Sequence, residues 1–69
     1  MTFGEYLAAA SKRSITLRDS ERVGQAYMNA LMINARRKDL NGWLTGSPID
    51  PFYLDSNLGA ALDFLAEKW

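Results

Sequence analysis

Residues 20–35 constrain the fold of this chain more than any other stretch of the sequence. At about 100° per residue, their apolar side chains fall on one broad arc of a predicted helix. The arc comprises Val23, Ala26, Tyr27, Ala30, Leu31 and Ile33, and Met28 and Ala35 widen it. A helix that is apolar over more than half of its circumference usually lies at the centre of its fold. We therefore predict one all-α domain over residues 1–69, a small bundle of three to four helices with helix two at its centre.

A shorter helix is predicted before this one. Thr2 and Glu5 have the spacing of a capping box, in which each side chain meets the backbone N–H of the other residue. One apolar stripe follows at helical spacing and comprises Phe3, Tyr6, Leu7 and Ala10. The stripe ends at residues 11–14, and a connecting segment follows. Ile15 and Leu17 alternate there with polar residues, so we expect both side chains to turn inward.

The sequence predicts where helix two begins and offers two alternative positions for its C-terminal end. Asp19 or Ser20 can cap its start. The cations of residues 36–38, Arg36, Arg37 and Lys38, suit its last turn, because positive charge is favoured at the negative end of the helix dipole. The turn signal Asn41-Gly42 is the alternative end. Gly24 inside the helix predicts close approach of another backbone, and Asn34 on the apolar arc needs hydrogen-bond partners if it is buried.

Two further helices are expected in the second half. Leu40, Trp43 and Leu44 have helical spacing and predict a short helix three, capped by Asp39 and stopped at Gly46. Helix four begins after Asp55 or Ser56. Its inward stripe comprises Leu58, Ala61, Leu62, Leu65 and Trp69, and Asp63 and Glu67 face out with Phe64 beside them.

The segment TGSPIDPFYLDSN, residues 45–57, carries a Phe-Tyr pair among turn residues. Asp50-Pro51 resembles the start of a brief helical turn, with Asp as cap and Pro at the first position. Phe52 and Tyr53 then sit on a tight corner between helices three and four. They either plug one end of the bundle or form an exposed anchor for a partner, since aromatic residues at rigid positions make good hot spots.

The composition argues against catalysis. Without histidine and cysteine, the chain lacks thiol nucleophiles, the ligands of zinc-type metal sites and the commonest general base. Asp50 and Asp55 are better explained as caps, and Asp63 and Glu67 as a solvated helix surface. No glycine pattern matches a phosphate-binding loop. We therefore predict that the protein is not an enzyme and binds no cofactor or metal.

Charge is unevenly distributed although the formal net charge is zero. Residues 1–38 carry seven bases and three acids, a balance of +4, and residues 39–69 carry five acids and one base, a balance of −4. The halves either fold against each other or present faces to partners of opposite charge. The basic candidates are Lys12, Arg13 and Arg18, and the run Arg36, Arg37 and Lys38. No apolar run is long enough to span a membrane, the start is unlike a signal peptide, and the lack of cysteine fits a cytoplasmic protein.

Several short motifs carry a resemblance to a known group of proteins. RVGQAYMNAL and DPFYLDSNLGAALDFLAEKW resemble a recurrent pattern in small uncharacterised phage and prophage proteins. The matching positions are Arg22, Gly24, Gln25, Asn29, Ala30, Leu31, Asp50, Pro51, Phe52, Tyr53, Asp55 and Trp69. The resemblance implies a phage-encoded protein in the cytoplasm of a bacterial host, a setting in which very small proteins often disable a host protein. It supplies no catalytic residue and no target.

The leading functional hypothesis is a protein-binding module that modulates or inhibits a host factor of defence or replication. Its predicted contact residues are Phe52, Tyr53, Asp63, Phe64, Glu67 and Met32. The alternative is a small dimeric helical regulator that binds nucleic acid through Arg36, Arg37 and Lys38, although no helix has the polar and basic surface of a recognition helix. A third hypothesis is an assembly subunit whose oppositely charged halves pair head to tail. A homodimer would be consistent with the nucleic-acid-binding hypothesis and with the assembly hypothesis.

Overall fold

Four α-helices and no strand make up the molecule. The computed structural model describes all residues 1–69. The helices are α1 (Phe3–Thr16), α2 (Val23–Ile33), α3 (Lys38–Leu44) and α4 (Leu58–Lys68), and a short 3-10 helix, Asp55–Asn57, leads into α4. The predicted all-α bundle is confirmed. None of the helices combines the length and hydropathy that a membrane crossing requires.

Helix α1 begins at the predicted capping box. The Thr2 Oγ1 accepts a hydrogen bond from the Glu5 N–H at 3.1 Å, and the Glu5 carboxylate accepts one from the Thr2 N–H at 2.7 Å. The helix continues past residues 11–14, so Ile15 is helical rather than part of a connecting strand-like segment. Ile15 is 66% exposed, and the prediction that it turns inward is wrong, because it lies on the side of α1 opposite buried Tyr6. Leu17 is half-buried.

Helix α2 lies at the centre of the core, as predicted. It contacts α1, α3 and the 3-10 helix, and α4 contributes to the same core. The buried apolar cluster comprises Tyr6, Ala10, Met28, Ala30, Leu31, Leu40, Leu44, Ala61 and Leu65. Val23 and Ile33 are exposed, contrary to their assignment to the buried arc. They are the first and last residues of α2.

The connection between α2 and α3 differs from both predicted forms. Helix α2 ends at Ile33, before either predicted end, and residues 41–42 lie within α3. Arg36 adopts a left-handed backbone conformation, with φ of 54°, in the role that glycine usually has at helix ends. The Arg37 N–H then donates to the Leu31 carbonyl at 3.0 Å, which closes the turn.

Two further predictions about this region need correction. Arg36 and Arg37 lie in the connection, and Lys38 is the first residue of α3, so none of them is in the last turn of helix two. Asp39 lies in the first turn of α3 and is not its cap. Asn34, which would need hydrogen-bond partners if it were buried, is exposed.

An aromatic cluster joins the two ends of the chain. The Trp69 ring stacks on Tyr6 with 5.1 Å between centroids and contacts Phe3 at 5.4 Å. Its indole N–H donates to the Met1 carbonyl at 3.0 Å, and the Arg37 guanidinium lies 5.0 Å from the Trp69 ring centroid. The cluster therefore ties α1 to the C-terminal end of α4. Burial raises the pKa of Tyr6 well above its usual range.

Glu21 connects the end of α1 to α2. The Arg13 guanidinium donates two hydrogen bonds to the Glu21 carboxylate, both at 2.9 Å, and the Asn29 amide donates a third at 2.6 Å. The hydrogen bonds from Arg13, followed by the one from Asn29, hold the pKa of Glu21 below its ordinary value of 4.5. The pair is mostly shielded from solvent, with 24% of the Arg13 and 16% of the Glu21 side chain exposed.

Replacement of Arg13 by glutamine is expected to lower the free energy of unfolding by about 1 kcal/mol at neutral pH. Because the folded-state pKa of Glu21 is depressed, the pair stabilises the fold fully above pH 4.5, and this contribution is lost as pH falls through the folded-state pKa. The difference between wild type and Arg13→Gln should therefore shrink as the solution is acidified. Urea denaturation followed by circular dichroism at several pH values measures it, and a difference that is constant over that range would contradict the assignment.

Candidate functional site

The loop of residues 45–54 is folded around the buried side chain of Asp50. Its carboxylate accepts hydrogen bonds from the Gly46 N–H at 2.8 Å and the Phe52 N–H at 2.9 Å. Gly46 has a φ of 77°, a conformation that favours glycine and follows the end of α3 as predicted. The Asn57 amide donates to the Asp50 carbonyl at 3.1 Å. The bond from Phe52 is the cap predicted for Asp50, and residues 51–53 form the brief turn that was expected to follow it.

A set of close contacts, which we call the clasp, fastens this loop to the start of α2. A Cβ atom on Gly24 would lie 1.9 Å from the Pro51 carbonyl oxygen, so only hydrogen fits there, and the predicted close backbone approach is confirmed. The Gly24 N–H donates to the Asp55 carboxylate at 3.0 Å, and the Arg22 guanidinium donates to the Phe52 carbonyl. The clasp thus comprises Arg22, Gly24, Pro51, Phe52 and Asp55.

Asp55 therefore has a role different from the predicted one. It was expected to cap helix four, but its carboxylate satisfies an N–H in the first turn of α2, 31 residues earlier in the chain. The residue that precedes α4 is Asn57, and its side chain makes no capping hydrogen bond. Ser56 lies within the 3-10 helix.

The clasp orients the two adjacent aromatic side chains differently. Phe52 is half-buried and packs against the core, whereas Tyr53 is 73% exposed. Their rings meet nearly edge to face, with centroids 5.2 Å apart and planes at 69°. Phe52 thus closes the end of the bundle, as the first alternative predicts, and Tyr53 faces outward, as the second alternative requires.

Tyr53 stands at the edge of a groove of about 220 Å³, which we call the α2–α3 groove. It is lined by Met28, Asn29 and Met32 of α2, Asn41 and Thr45 of the α3 end, and Asp50, Phe52 and Tyr53 of the loop. Met28 is buried at its floor, and Met32 is 40% exposed at its rim. Three of the predicted contact residues, Phe52, Tyr53 and Met32, therefore meet in one place.

Most polar groups of the groove are bonded within the protein. The Asn41 amide donates to the Met28 carbonyl at 3.3 Å, the Thr45 hydroxyl donates to the Asn41 carbonyl at 2.8 Å, and the Asn29 amide nitrogen donates to Glu21. The Asn29 amide oxygen and the Tyr53 hydroxyl have no partner. Asp50 is the only charged residue in the lining, and nowhere do metal-ligating side chains gather in a group of three.

The other predicted contact residues, on α4, lie outside this groove. Phe64 is half-buried in a separate cleft of about 260 Å³ between α3 and α4, together with Leu40, Trp43 and Lys68. Asp63 and Glu67 are exposed and line neither groove nor cleft. The predicted contact surface therefore divides into the α2–α3 groove, the α3–α4 cleft and the outer side of α4.

Trp43 is 72% exposed, although it shares helical spacing with the buried residues Leu40 and Leu44. Helix α3 has only seven residues, and its buried side is filled by the two leucines. Trp43 lies at the edge of that side, where its ring forms one wall of the α3–α4 cleft.

The basic residues do not form a recognition helix. Arg37 donates to the Trp69 carbonyl at 3.0 Å and forms an ion pair with Asp39 at 3.1 Å, and Arg13 is held by Glu21. Of the run proposed for nucleic acid, Arg36 and Lys38 remain exposed, Arg36 in the turn between α2 and α3 and Lys38 at the start of α3. Phosphate-backbone binding requires a continuous basic face, and the ion pair of Arg37 leaves only two cations of the run free to contribute to one.

Five residues of the groove lining were not among the predicted contact residues: Met28, Asn29, Asn41, Thr45 and Asp50. Asn41 and Thr45 stand four residues apart, which places both on the polar flank of α3 next to its buried leucines, and that spacing is a usable signal.

Comparisons with protein-family models, curated proteins and solved structures gave no match to this chain. The resemblance to small phage and prophage proteins therefore stays a prediction.

Proposed function

We propose that this chain is a non-enzymatic protein-binding module that docks a segment of another protein in the α2–α3 groove. The observation that carries the proposal is the position of Tyr53, a largely exposed ring on a loop that the clasp holds against α2. A pre-ordered aromatic residue loses little conformational entropy on binding, and such residues are enriched among interface hot spots. Met32 beside it supplies an adaptable apolar rim.

The internal bonds of the motif residues support this assignment. Arg22, Gly24, Pro51 and Asp55 belong to the clasp, and Asp50 holds the turn that precedes it. These residues therefore have structural roles within the chain itself. Tyr53 has no such role, since it is exposed and its hydroxyl makes no hydrogen bond to the protein. These positions of the motif thus form the clasp, the turn at Asp50 and the ring that the clasp presents.

The dimensions of the groove favour a protein partner over a small molecule. Small-molecule sites typically have volumes of about 300–1,000 Å³ and enclose most of the ligand, whereas the α2–α3 groove measures about 220 Å³. A site of this size suits one side chain of a larger partner. On the basis of the resemblance to phage and prophage proteins, we propose that the partner is a host protein of defence or replication in the bacterial cytoplasm.

Replacing Tyr53 by alanine is expected to weaken partner binding at least about tenfold, since loss of a central aromatic anchor commonly costs about 2 kcal/mol or more. The matched control is Ile15→Ala, because Ile15 is also a largely exposed apolar residue but lies on α1, outside the groove. A quantitative pull-down from bacterial lysate identifies proteins retained by wild type and Ile15→Ala and lost with Tyr53→Ala. Calorimetry with the purified partner then gives the dissociation constants.

The proposal fails if every specifically retained protein binds Tyr53→Ala and Met32→Ala as well as it binds wild type. Retention that instead depends on Trp43 or Phe64 would move the contact surface to the α3–α4 cleft and would contradict the assignment to the groove.

A further inference from the structure

We infer that the side chain docked in the α2–α3 groove is a lysine or arginine of the partner. This inference rests on the proposed function and specifies the chemistry of its partner. It follows from three properties of the groove: its charge, its aromatic walls and its unpaired hydrogen-bond acceptor.

The charge of the groove is negative. Asp50 is the only charged residue of the lining, its side chain is almost completely buried, and it takes part in no ion pair. The hydrogen bonds from Gly46 and Phe52 satisfy its oxygens but add no positive charge. A buried carboxylate without a counter-ion attracts a cation more strongly than an exposed one, because the surrounding dielectric constant is low. The lining therefore complements a basic side chain.

The walls of the groove suit both parts of such a side chain. Phe52 and Tyr53 both line the groove, and the face of an aromatic ring attracts positive charge. The aliphatic stem of lysine or arginine can pack along Met28 and Met32, as long charged side chains do on apolar surfaces. A single basic side chain thus matches the apolar floor and the aromatic wall together.

The unpaired acceptor favours a basic side chain over an apolar one as the occupant of the groove. The Asn29 amide oxygen lacks a partner within the protein and can accept an N–H from an ammonium or guanidinium group. An aliphatic occupant would exclude water from this oxygen without replacing the lost hydrogen bond, which is unfavourable. An acidic occupant would in addition be repelled by Asp50.

The inference can be tested with single-residue probes on the intact protein. The N-acetyl N-methylamides of lysine, arginine and norleucine are titrated into the ¹⁵N-labelled chain and followed by NMR, norleucine being an uncharged analogue of lysine. We expect saturable shifts of the Asn41, Phe52 and Tyr53 amides with the two basic probes. Norleucine should bind about tenfold more weakly, since it lacks the cation. Tyr53→Ala should weaken binding of the basic probes severalfold, and Ile15→Ala should leave it unchanged.

The outcomes distinguish this inference from the proposed function. If norleucine shifts the same amides with equal or higher affinity, the groove still docks a side chain, but the basic occupant is wrong. If no probe shifts these amides up to its solubility limit, the inference is also overturned, and the pull-down with Tyr53→Ala decides the proposed function separately.

Discussion

Gly24→Ala is expected to lower the free energy of unfolding by about 3 kcal/mol, at the upper end of the range for overpacking. The new Cβ would lie 1.9 Å from the Pro51 oxygen and 2.8 Å from its carbonyl carbon. Both are backbone atoms, so the loop has to move as a whole. Movement of the loop would also separate the Gly24 N–H from Asp55. Urea denaturation measures the loss of stability. Changes in the NMR chemical shifts of Phe52 and Tyr53 report displacement of the loop.

Gly59→Ala and Gly42→Ala are the matched controls for this substitution. Both glycines lie in helices, α4 and α3, and a Cβ on either would meet no atom within 4 Å. Alanine should therefore stabilise the protein at these positions by about 0.5–1 kcal/mol, through its higher helix propensity. If Gly24→Ala stabilises the protein as the controls do, the loop does not lie against α2.

Trp69→Ala is the second substitution with a large expected effect, a loss of about 3 kcal/mol. It removes the ring that stacks on Tyr6, contacts Phe3 and lies beside the Arg37 guanidinium. It also removes the indole N–H that bonds to the Met1 carbonyl. The closing contact between α1 and α4 is thereby lost. Thermal or urea denaturation followed by circular dichroism measures the change.

Trp43→Ala provides the comparison, because it removes an equally large ring from a largely exposed position. Its effect on the free energy of unfolding should stay within about 0.5 kcal/mol, the usual range for surface substitutions. Equal losses for the two tryptophan variants would contradict the aromatic cluster as a stabilising feature.

The parts of the fold that depend on local patterns could be predicted from the sequence. The capping box at Thr2 and Glu5 involves residues three apart, and the central position of α2 follows from its broad apolar arc. Gly24 was also informative, because a glycine inside a helix lowers helix stability, and close approach of another backbone is a reason for its presence there. In each case the feature can be predicted from residues that lie close together in the sequence.

The parts that depend on distant partners could not be predicted. Helix α2 ends at Ile33 because Arg36 turns the chain and Arg37 is held by Asp39 and Trp69, and no local signal marks the Trp69 contact. Asp55 looks like a cap for the helix that follows it, yet its carboxylate bonds to Gly24. Local cap preferences identify a residue able to accept an N–H but not which helix supplies it.

The candidate site was partly predictable for the same reason. Phe52, Tyr53 and Met32 stood out by residue type, since large apolar groups near turns or on a polar strip suggest contact surfaces. The groove itself arises where α2, α3 and the loop meet, so its polar lining, including Asn41 and Thr45, became apparent only with the packing of these elements.

The central claim is that the clasp holds the loop bearing Tyr53 on the start of α2, and hydrogen exchange at the Gly24 amide tests it most directly. This N–H is bonded to the Asp55 carboxylate, and its position in the first turn of α2 leaves it without a bond inside the helix. We predict slow exchange in wild type, and fast exchange in Asp55→Ala while the amide of buried Leu31 stays protected. Exchange of the wild-type Gly24 amide at the rate of an unstructured peptide would contradict the claim.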